Sequence, residues 1–459
     1  MSEELEHIEI VYFLGIGGIG MSALARYFKD QGLLVCGYDR NSSPLTQELE
    51  MEGIDVVLND SVFELPAILR VSPKEKILVI VTPAVPSEHP QLKYFKSEGF
   101  TIKKRSVVLG LISNQHKTIA VAGTHGKTTT SAMIAHLLKD GGHECLGFLG
   151  GIAANYNSNI LLSDKPEVCV VEADEFDRSF LTLHPAFAII TSMDADHLDI
   201  YGDKDSLQDT FFDFIKGIPS GGTLLLCEGL PHPQREDLNI MTYGLSDSAD
   251  FSAKNTRIEN GTYVFDFHYP GGRIENIACG LPGKHNMENA VAAIAIYTRG
   301  GFQDGTIANS MASFKGVKRR FESICKKKNF AFIDDYAHHP RELEVSIKSV
   351  RELYPNKVIT GIFQPHLFSR TRDFADDFAI SLELLDQIIL LPIYPAREEP
   401  IDGVDSQMLL DKINKDYKKL VDKSELLDLI KQLQPEVLMT LGAGDIDRLV
   451  APVKSVMCQ

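Results

Sequence analysis

The chain has 459 residues, a formal net charge of −17 and 44% hydrophobic residues. Its length exceeds what one hydrophobic core holds, which predicts two or three globular domains. The acidic balance argues against general nucleic-acid binding, which needs a basic surface. Seven scattered cysteines without a CxxC pair predict free thiols. We expect a cytosolic protein without membrane insertion, because no signal peptide and no apolar run of roughly 20 residues is seen.

Apolar runs of strand length alternate with segments of helical period almost throughout, a pattern typical of parallel α/β sheets. In the first unit, a basic stretch at 103–105 leads into polar residues 113–117, which predicts a domain boundary after residue 115. The predicted strands of this unit are Ile8–Leu14, Leu33–Tyr38 and Lys76–Val81, and its first helix is Ile19–Gln31.

A glycine loop, Gly15-Ile16-Gly17-Gly18-Ile19-Gly20, joins the first predicted strand to the first helix. Asp39 follows the next strand, so the pattern matches the dinucleotide fingerprint, with an acid for a ribose. The glycines allow a diphosphate to approach a helix N-terminus. Both NAD and a UDP-sugar carry these groups, so the loop predicts a nucleotide diphosphate and leaves its identity open. Thr82, at the end of the third strand, and Arg105 are further candidate contacts.

The second predicted unit, 116–315, carries another glycine loop, Gly123-Thr124-His125-Gly126-Lys127-Thr128-Thr129. It is shorter than the standard P-loop, whose first glycine would fall at Val121. Its backbone N–H groups can nevertheless cradle phosphate, while Lys127 reaches the β/γ oxygens and the Thr128 hydroxyl binds Mg²⁺. A simple NAD dehydrogenase has no use for this loop. Two phosphate loops therefore predict two phosphorylated ligands.

The rest of this unit continues the α/β pattern up to a region of alternating residues and turns. That region, 250–279, predicts antiparallel hairpins. The predicted elements are strands Thr118–Ala122, Glu167–Glu172 and Ala186–Thr191, and helices Lys127–Lys139 and Asn286–Tyr297.

Acidic residues and a histidine follow two buried strands of the second unit. Glu172 ends one strand and is the best candidate ligand for Mg²⁺, with Asp174 and Glu175 behind it. His197 follows the next strand, where α/β sheets place ligands. Mg²⁺ prefers oxygen ligands, so a histidine ligand would also suit Mn²⁺.

The third predicted unit, 316–459, restarts the α/β pattern, and Pro340 stands where a proline can open a helix. Its predicted strands are Phe330–Asp334, Lys357–Phe363, Gln387–Leu391 and Val437–Leu441.

Six stretches taken together resemble the Mur ligase family, in the right order over nearly the whole chain. They are GTHGKTTT at 123–130, VVEADE at 170–175, DADHLD at 194–199, GKHNMENAVAAIA at Gly283–Ala295, GVKRRFE at Gly316–Glu322 and DDYAHHP at Asp334–Pro340. Two further stretches, Gly15–Ala25 and Phe363–Phe374, are most similar to the members that add L-alanine to UDP-N-acetylmuramate.

The resemblance implies three domains: a Rossmann-like UDP-binding domain, a P-loop ATPase-like central domain with an antiparallel portion, and a Rossmann-like C-terminal domain. It implies an ATP-dependent ligase of peptidoglycan precursor synthesis that joins L-alanine to the lactyl carboxylate of UDP-N-acetylmuramate, with Mg²⁺ as cofactor. It also implies that the first loop holds UDP rather than NAD.

Carried over position by position, the resemblance implies four groups of site residues. The UDP-sugar group is Gly15, Gly17, Gly18, Ile19, Gly20, Asp39, Thr82 and Arg105. The ATP group is Gly123, Thr124, Gly126, Lys127, Thr128, Thr129, Asn286, Asn289, Arg320 (or its neighbour Arg319) and Asp335. The metal group is Thr128, Glu172 and His197. The amino-acid group is Tyr336, His338, His366, Arg370 and Arg372, beside His339. Lys127, Glu172, His197, Arg320 and His338 are the candidate catalytic residues.

Two positions depart from the family pattern. Leu367 stands where alanine ligases commonly have arginine, which leaves anion contacts to Arg370 and Arg372. The segment 210–214 lacks the lysine that several relatives carbamoylate, so no such modification is expected, and Asp213 is a weak substitute carboxylate. Three alternatives stay open at this stage: a ligase that recycles a murein tripeptide onto the same sugar nucleotide, an NAD-dependent oxidoreductase, and a non-catalytic nucleotide sensor.

Overall fold

The computed structural model describes residues 4–194, 204–259, 262–302, 305–396 and 398–458. Backbone contacts divide the chain into two compact units. The first unit contains Met1–Thr256, Val264–Ala278 and Glu288–Phe314; the second contains Arg257–Tyr263, Cys279–Met287 and Lys315–Gln459. The described residues form three sheets; the first lies in the first unit, and so does the second except for the ends of two strands within Arg257–Tyr263.

The first sheet has five parallel strands in the order β3-β2-β1-β4-β5. Its central strand is a run of buried apolar residues, as expected of a parallel strand covered on both faces. The strands are β1 (Ile10–Leu14), β2 (Leu34–Tyr38), β3 (Asp55–Val57), β4 (Ile77–Val81) and β5 (Thr101–Lys104). The helices are α1 (Ile19–Asp30), α2 (Pro44–Met51), α3 (Ile68–Val71), α4 (Pro90–Ser97) and α5 (Arg105–Ser113).

The second sheet has ten strands in the order β15-β14-β13-β12-β11-β10-β6-β9-β7-β8. The β14–β15 and β7–β8 pairs are antiparallel, and the former confirms a hairpin in the predicted region. The strands are β6 (Thr118–Ala122), β7 (Cys145–Ala153), β8 (Ser158–Leu161), β9 (Val168–Glu172), β10 (Phe187–Ile190), β11 (Thr223–Cys227), β12 (Asn239–Gly244), β13 (Phe251–Glu259), β14 (Thr262–Tyr269) and β15 (Gly272–Ala278). The helices are α6 (Lys127–Asp140), α7 (Lys204–Lys216), α8 (Lys284–Arg299) and α9 (Ile307–Ser313).

The third sheet has six strands in the order β16-β17-β21-β18-β19-β20, and β16 is the antiparallel edge strand. The strands are β16 (Glu322–Lys326), β17 (Ala331–Asp335), β18 (Ile359–Phe363), β19 (Gln387–Leu390), β20 (Lys418–Leu420) and β21 (Val437–Leu441). The helices are α10 (Pro340–Leu353), α11 (Phe368–Asp373), α12 (Ala375–Leu382), α13 (Ser406–Lys412), α14 (Lys423–Leu433) and α15 (Asp447–Met457).

One apolar core joins the first sheet to the second. Helix α1 packs against β7 and β8, and Leu24 lies in the same buried cluster as Phe148 and Ile160. The ring centroids of Tyr27 and Phe148 are 5.7 Å apart. The helix that follows the first glycine loop is therefore seated on the edge of the central sheet.

The prediction that all cysteines are free thiols is wrong for two of them. Cys325 on β16 and Cys458 after α15 form a disulfide across 133 residues of sequence. Their separation hides the pair, because only the fold brings the chain end beside the edge strand. No helix in the described part of the chain combines the length and hydropathy that crossing a bilayer requires.

Candidate active site

The first glycine loop turns sharply from β1 into α1. Gly15 has a φ of +88°, in the region that favours glycine. The N–H groups of Gly15 and Ile16 donate to the Tyr38 carbonyl at 2.8 and 2.9 Å, which ties the loop to the end of β2. Gly18 is the N-cap of α1, so the free N–H groups of the first helical turn mark an anion site.

Asp39 holds this loop through hydrogen bonds to backbone N–H groups. Its carboxylate accepts from the Gly17 N–H at 2.8 Å and from the Asn41 N–H at 3.3 Å. A Cβ added at Gly17 would lie 2.9 Å from Asp39 Oδ2, so glycine is required for this approach. The acid predicted to bind a ribose thus also holds the shape of the diphosphate loop.

Thr82 and Arg105 lie beside the same loop, as the sequence predicts. A Cβ at Gly15 would be 2.6 Å from Thr82 Cγ2, and one at Gly20 would be 2.5 Å from an Arg105 guanidinium nitrogen. Arg105 also pairs with Asp174, at 3.5 Å, across to the central sheet. The structure therefore brings the predicted UDP-sugar residues together around the start of α1.

The second glycine loop wraps around the side chain of Lys127. Gly123 and Gly126 have φ values of +129° and +82°. Lys127 Nζ donates to the Gly123 carbonyl at 2.6 Å and lies 2.8 Å from the fully buried carboxylate of Glu175. Burial disfavours the ammonium charge, but Glu175, Asp174 and Glu172 outweigh it and raise the lysine pKa. The cation is therefore held at the loop.

Three further predicted ATP contacts of the central domain, Thr128, Thr129 and Asn289, lie at this loop. Thr128 and Thr129 are buried in the first turn of α6. Asn289 lies against the loop, since a Cβ at Gly126 would be 2.7 Å from its Oδ1. Asn286, one turn earlier on α8, donates to the Pro282 carbonyl at 2.7 Å and belongs to the second compact unit.

The acidic end of β9 faces helix α1 across a cavity of about 100 Å³. Glu172, Asp174 and Arg105 are its charged lining residues. A Cβ at Gly150 on β7 would overlap the Glu172 carboxylate, so this glycine leaves room for the acid. The full lining is Ile19, Gly20, Ala23, Leu24, Arg105, Leu109, Phe148, Leu149, Gly150, Glu172 and Asp174.

The two predicted metal ligands that the structure describes are oxygen donors. Thr128 offers a hydroxyl and Glu172 a carboxylate, which are the ligand types that Mg²⁺ prefers. His197, the third predicted metal ligand, lies outside the described residues. Within the described residues, His, Cys, Asp and Glu side chains form no group of three that could hold a metal ion. The chemistry of these two donors is compatible with a magnesium ion.

Arg319 and Arg320, two adjacent arginines of the second compact unit, make different contacts. The Arg319 guanidinium donates to Asp334 at 3.3 Å and to the Gly442 carbonyl at 2.6 Å, so it fixes β17 against the loop after β21. Both guanidinium groups stack on the Tyr336 ring, that of Arg319 at 5.1 Å and that of Arg320 at 5.0 Å, so the Asp334 and Gly442 contacts are what distinguish Arg319. Of the two, Arg320 is the one suited to a ligand.

Asp335 is buried at the end of β17. Its carboxylate accepts from the Ser346 hydroxyl at 2.6 Å and from the Ala337 N–H at 3.2 Å. Burial raises the pKa of Asp335 to about 6, and the Ser346 bond and the charge of Arg320 act against this rise.

Two histidines occupy different positions after β17. His338 Nδ1 donates to the Tyr336 carbonyl at 2.9 Å, which leaves the lone pair on Nε2. Burial lowers the pKa of His338, the charge of Arg370 acts in the same direction, and Glu342 opposes them. His339 instead caps α10 and accepts from the Arg341 N–H at 3.4 Å. His338 is therefore a neutral group near pH 7, and His339 is structural.

His366 and Arg370 lie with His338, whereas Arg372 does not. The His366 ring is 6.0 Å from the His338 ring and stacks on Tyr394 at 5.8 Å. Leu367 adopts a φ of +70° as the N-cap of α11, and the half-buried Arg370 follows one turn later. Arg372 is 54% exposed and pairs with Asp373 at 2.7 Å.

Several residues of the site escaped the sequence analysis. The Ser192 hydroxyl lies 2.8 Å from that of Thr124 and accepts from the His125 N–H at 2.9 Å. Gly150 was findable, because a glycine inside a strand often marks a close approach. Tyr394 carries no local signal. Asp213, the weak candidate carboxylate, is exposed on α7 and pairs with Lys216 at 2.7 Å, so it does not join the site.

Comparison with known proteins identifies the class. The Mur ligase family catalytic domain matches residues 10–117, the Mur ligase middle domain 121–297, and the Mur ligase glutamate ligase domain 319–444. The chain belongs to the Mur ligase family, and the three-domain fold and the family prediction are confirmed. The boundaries at 115 and 315 stay predictions.

Full-length relatives narrow the class. The chain is 51% identical over 451 residues to the UDP-N-acetylmuramate--L-alanine ligase of Porphyromonas gingivalis, covering 97% of this chain and 98% of that protein. It is 49% identical to the enzyme of the same name from Christiangramia forsetii, with 99% of each covered. The crystal structure of the Thermotoga maritima UDP-N-acetylmuramate-alanine ligase superposes with a TM-score of 0.81 at 28% identity, over 97% of this chain and 98% of that one.

Proposed function

We propose that the chain is the ATP-dependent ligase that joins L-alanine to the lactyl carboxylate of UDP-N-acetylmuramate in peptidoglycan precursor synthesis. One structural observation supports the proposal independently of the relatives' names. Two phosphate loops, at Gly15–Gly20 and Gly123–Thr129, belong to one compact unit, and the acid-lined cavity borders the helix that follows the first. An oxidoreductase would need only one of them. ATP and nucleotide sugars are cytoplasmic metabolites, so we place the reaction in the cytoplasm.

The first loop binds the diphosphate of the sugar nucleotide. Backbone N–H groups of Ile19 and Gly20 point to the anion at the start of α1, and Arg105 adds a cation. Asp39 keeps the loop in shape and reaches the ribose. The lactyl carboxylate then extends into the cavity toward Glu172.

The second loop binds ATP. Lys127 neutralises charge on the β/γ oxygens, and Asn289 borders the loop from α8. Thr128 and Glu172 would hold Mg²⁺, together with His197. When bound, the ion neutralises phosphate charge and polarises the γ-phosphoryl group.

ATP converts a poor acyl donor into a good one. A lactyl carboxylate oxygen attacks the γ-phosphorus, the bond to the β–γ bridging oxygen breaks, and ADP leaves. The amine of alanine then attacks the acyl carbon, and phosphate leaves from the tetrahedral intermediate. Lys127 and Arg320 stabilise the charge that moves in the phosphoryl step, and most of the rate comes from alignment of the reactants.

The C-terminal domain supplies the amino acid and manages its proton. Arg370 binds the α-carboxylate, because a guanidinium matches a carboxylate with two parallel hydrogen bonds. The ammonium of alanine must lose a proton before its nitrogen can attack. His338 is neutral near pH 7 and keeps its Nε2 lone pair, so it accepts that proton. Asp335 and Tyr336 position Arg320 and His338.

The test is an assay in which ATP, Mg²⁺ and UDP-N-acetylmuramate are incubated with L-alanine, and phosphate release is followed. Mass spectrometry should detect UDP-N-acetylmuramoyl-L-alanine, formed one-to-one with phosphate. Parallel arms replace alanine with the murein tripeptide or replace ATP with NAD. Product from the tripeptide but not from alanine would contradict the proposal, and so would phosphate release without an amide product.

A further inference from the structure

Asn159 is a fully buried polar residue on β8, at the edge of the central sheet. Its side-chain amide reaches out of its own domain. Nδ2 donates to the Ile19 carbonyl at 2.6 Å and to the Ser22 hydroxyl at 2.9 Å. Both acceptors belong to the first turn of α1, directly after the diphosphate loop.

The orientation of this amide is fixed by its other partner. Asn159 Oδ1 accepts from Arg26 Nη1 at 2.6 Å. Arg26 is itself held by the Glu52 carboxylate at 2.7 Å and by Glu48 at 3.3 Å. Arginine can only donate and a carbonyl can only accept, so rotating the amide by 180° would break both contacts. The donor and acceptor roles of the two side-chain atoms of Asn159 are therefore fixed by these contacts.

The turn that Asn159 grips is the anion-binding turn. Free N–H groups at the start of α1 point toward the diphosphate, and their positions move with the Ile19 carbonyl and the rest of the turn. Apolar packing, such as that of Tyr27 against Phe148, holds α1 on the sheet but is non-directional. The hydrogen bonds of Asn159 add a fixed distance and direction at the first turn.

The position of α1 along its axis matters because the helix forms one wall of the cavity. Ile19, Gly20, Ala23 and Leu24 of α1 line the cavity, and Glu172 at the end of β9 lines it too. A shift of about 1 Å between reacting groups is enough to cost about a hundredfold in rate.

We propose that Asn159 is a positioning residue that locks the diphosphate-binding turn of the first domain to the central domain, and so sets the distance from the bound sugar nucleotide to the ATP site. The proposal rests on the proposed function. A purely structural role would predict loss of stability with equal effects on every substrate. A positioning role predicts selective loss of UDP-sugar binding and turnover.

The test uses three variants of the full chain. Asn159→Ala removes all three contacts. Asn159→Asp keeps the acceptor for Arg26 but replaces the donor to the Ile19 carbonyl with a carboxylate oxygen, so the Arg26 contact is retained while the contact with the turn is lost. Ser158→Ala, on the same strand, is the matched control, because its hydroxyl bonds only to Ile160 among the described residues.

We expect kcat/KM for UDP-N-acetylmuramate to fall about tenfold or more in both Asn159 variants, with the KM for ATP changed less than about twofold. Calorimetric titration of the UDP-sugar should show the same selective loss, and Ser158→Ala should match wild type. Thermal unfolding should show that each variant is folded at the assay temperature. Wild-type kinetics in both Asn159 variants would overturn the inference, as would an equal rise in the KM values for ATP and for the UDP-sugar. A wild-type protein that makes no amide product would instead overturn the proposed function.

Discussion

Arg370→Lys is expected to weaken alanine recognition selectively. Arg370 is half-buried on α11, and its charge lowers the pKa of the neighbouring His338. Lysine keeps the charge but loses the planar fork that binds a carboxylate through two bonds. Loss of one charge-assisted hydrogen bond costs about 1.5–3 kcal/mol, which corresponds to about a ten- to 140-fold rise in the KM for alanine.

Arg372→Lys is the matched control on the same helix. Arg372 is 54% exposed and pairs with Asp373 in solvent, where lysine can replace it. We expect the KM for alanine to change by less than about twofold in this variant. The sequence assigned both arginines to the amino-acid site, and the structure distinguishes them by burial and by their neighbours.

Steady-state kinetics that vary one substrate at a time decide between these outcomes. The constants for ATP and UDP-N-acetylmuramate should stay within about twofold in both variants, because their loops lie on other sheets. An unchanged alanine constant in Arg370→Lys would remove the carboxylate site from α11. A rise in Arg372→Lys equal to that in Arg370→Lys would show that exposure does not separate the two roles.

Three further perturbations test other parts of the structure. Lys127→Ala should abolish phosphate release and leave calorimetric affinity for UDP-N-acetylmuramate nearly unchanged; parallel loss of both would contradict separate phosphate loops. Reducing the Cys325–Cys458 disulfide should lower the thermal unfolding midpoint. A crosslink across 133 residues lowers the conformational entropy of the unfolded chain, which raises its free energy by up to about 5 kcal/mol. The midpoint of Cys458→Ser should not change with reductant. Burial lowers the pKa of His285 from 6.5 to about 4. Between these pH values the unfolded chain binds a proton at His285 that the folded chain does not bind. The free energy of unfolding should therefore fall by up to about 3 kcal/mol as the pH drops from about 6.5 to about 4. Denaturant titrations should show a smaller fall in His285→Asn, and equal falls would contradict the assignment.

Local patterns determined the elements and the class of chemistry. The predicted strands Thr118–Ala122 and Val437–Leu441 coincide with β6 and β21, because buried parallel strands are continuous apolar runs bounded by polar turns. The two glycine loops were found for the same reason. A loop that cradles phosphate needs its glycines, its cation and its helix within a few neighbouring residues, so the whole signal is local.

The resemblance to the family identified further site residues, but it could not distinguish the roles of residues that are adjacent in the sequence. Arg319 and Arg320 are adjacent and chemically identical, both stack on Tyr336, and only the fold gives the first an ion pair with Asp334. His338 and His339 divide in the same way between a buried site and a helix cap. In an irregular segment the direction of each side chain depends on the local backbone angles, and these cannot be predicted from the sequence of the segment.

Contacts between distant segments were decided by tertiary structure alone. Cys325 meets Cys458, and Asn159 meets the first turn of α1, only after whole sheets have formed and packed. Neither residue carries a local signal, because a lone cysteine or asparagine fits many environments. The sequence by itself predicted the class of ligand, a phosphorylated nucleotide, for each loop. Burial and long-range packing specified where those loops are held and which of several equivalent side chains reaches the site.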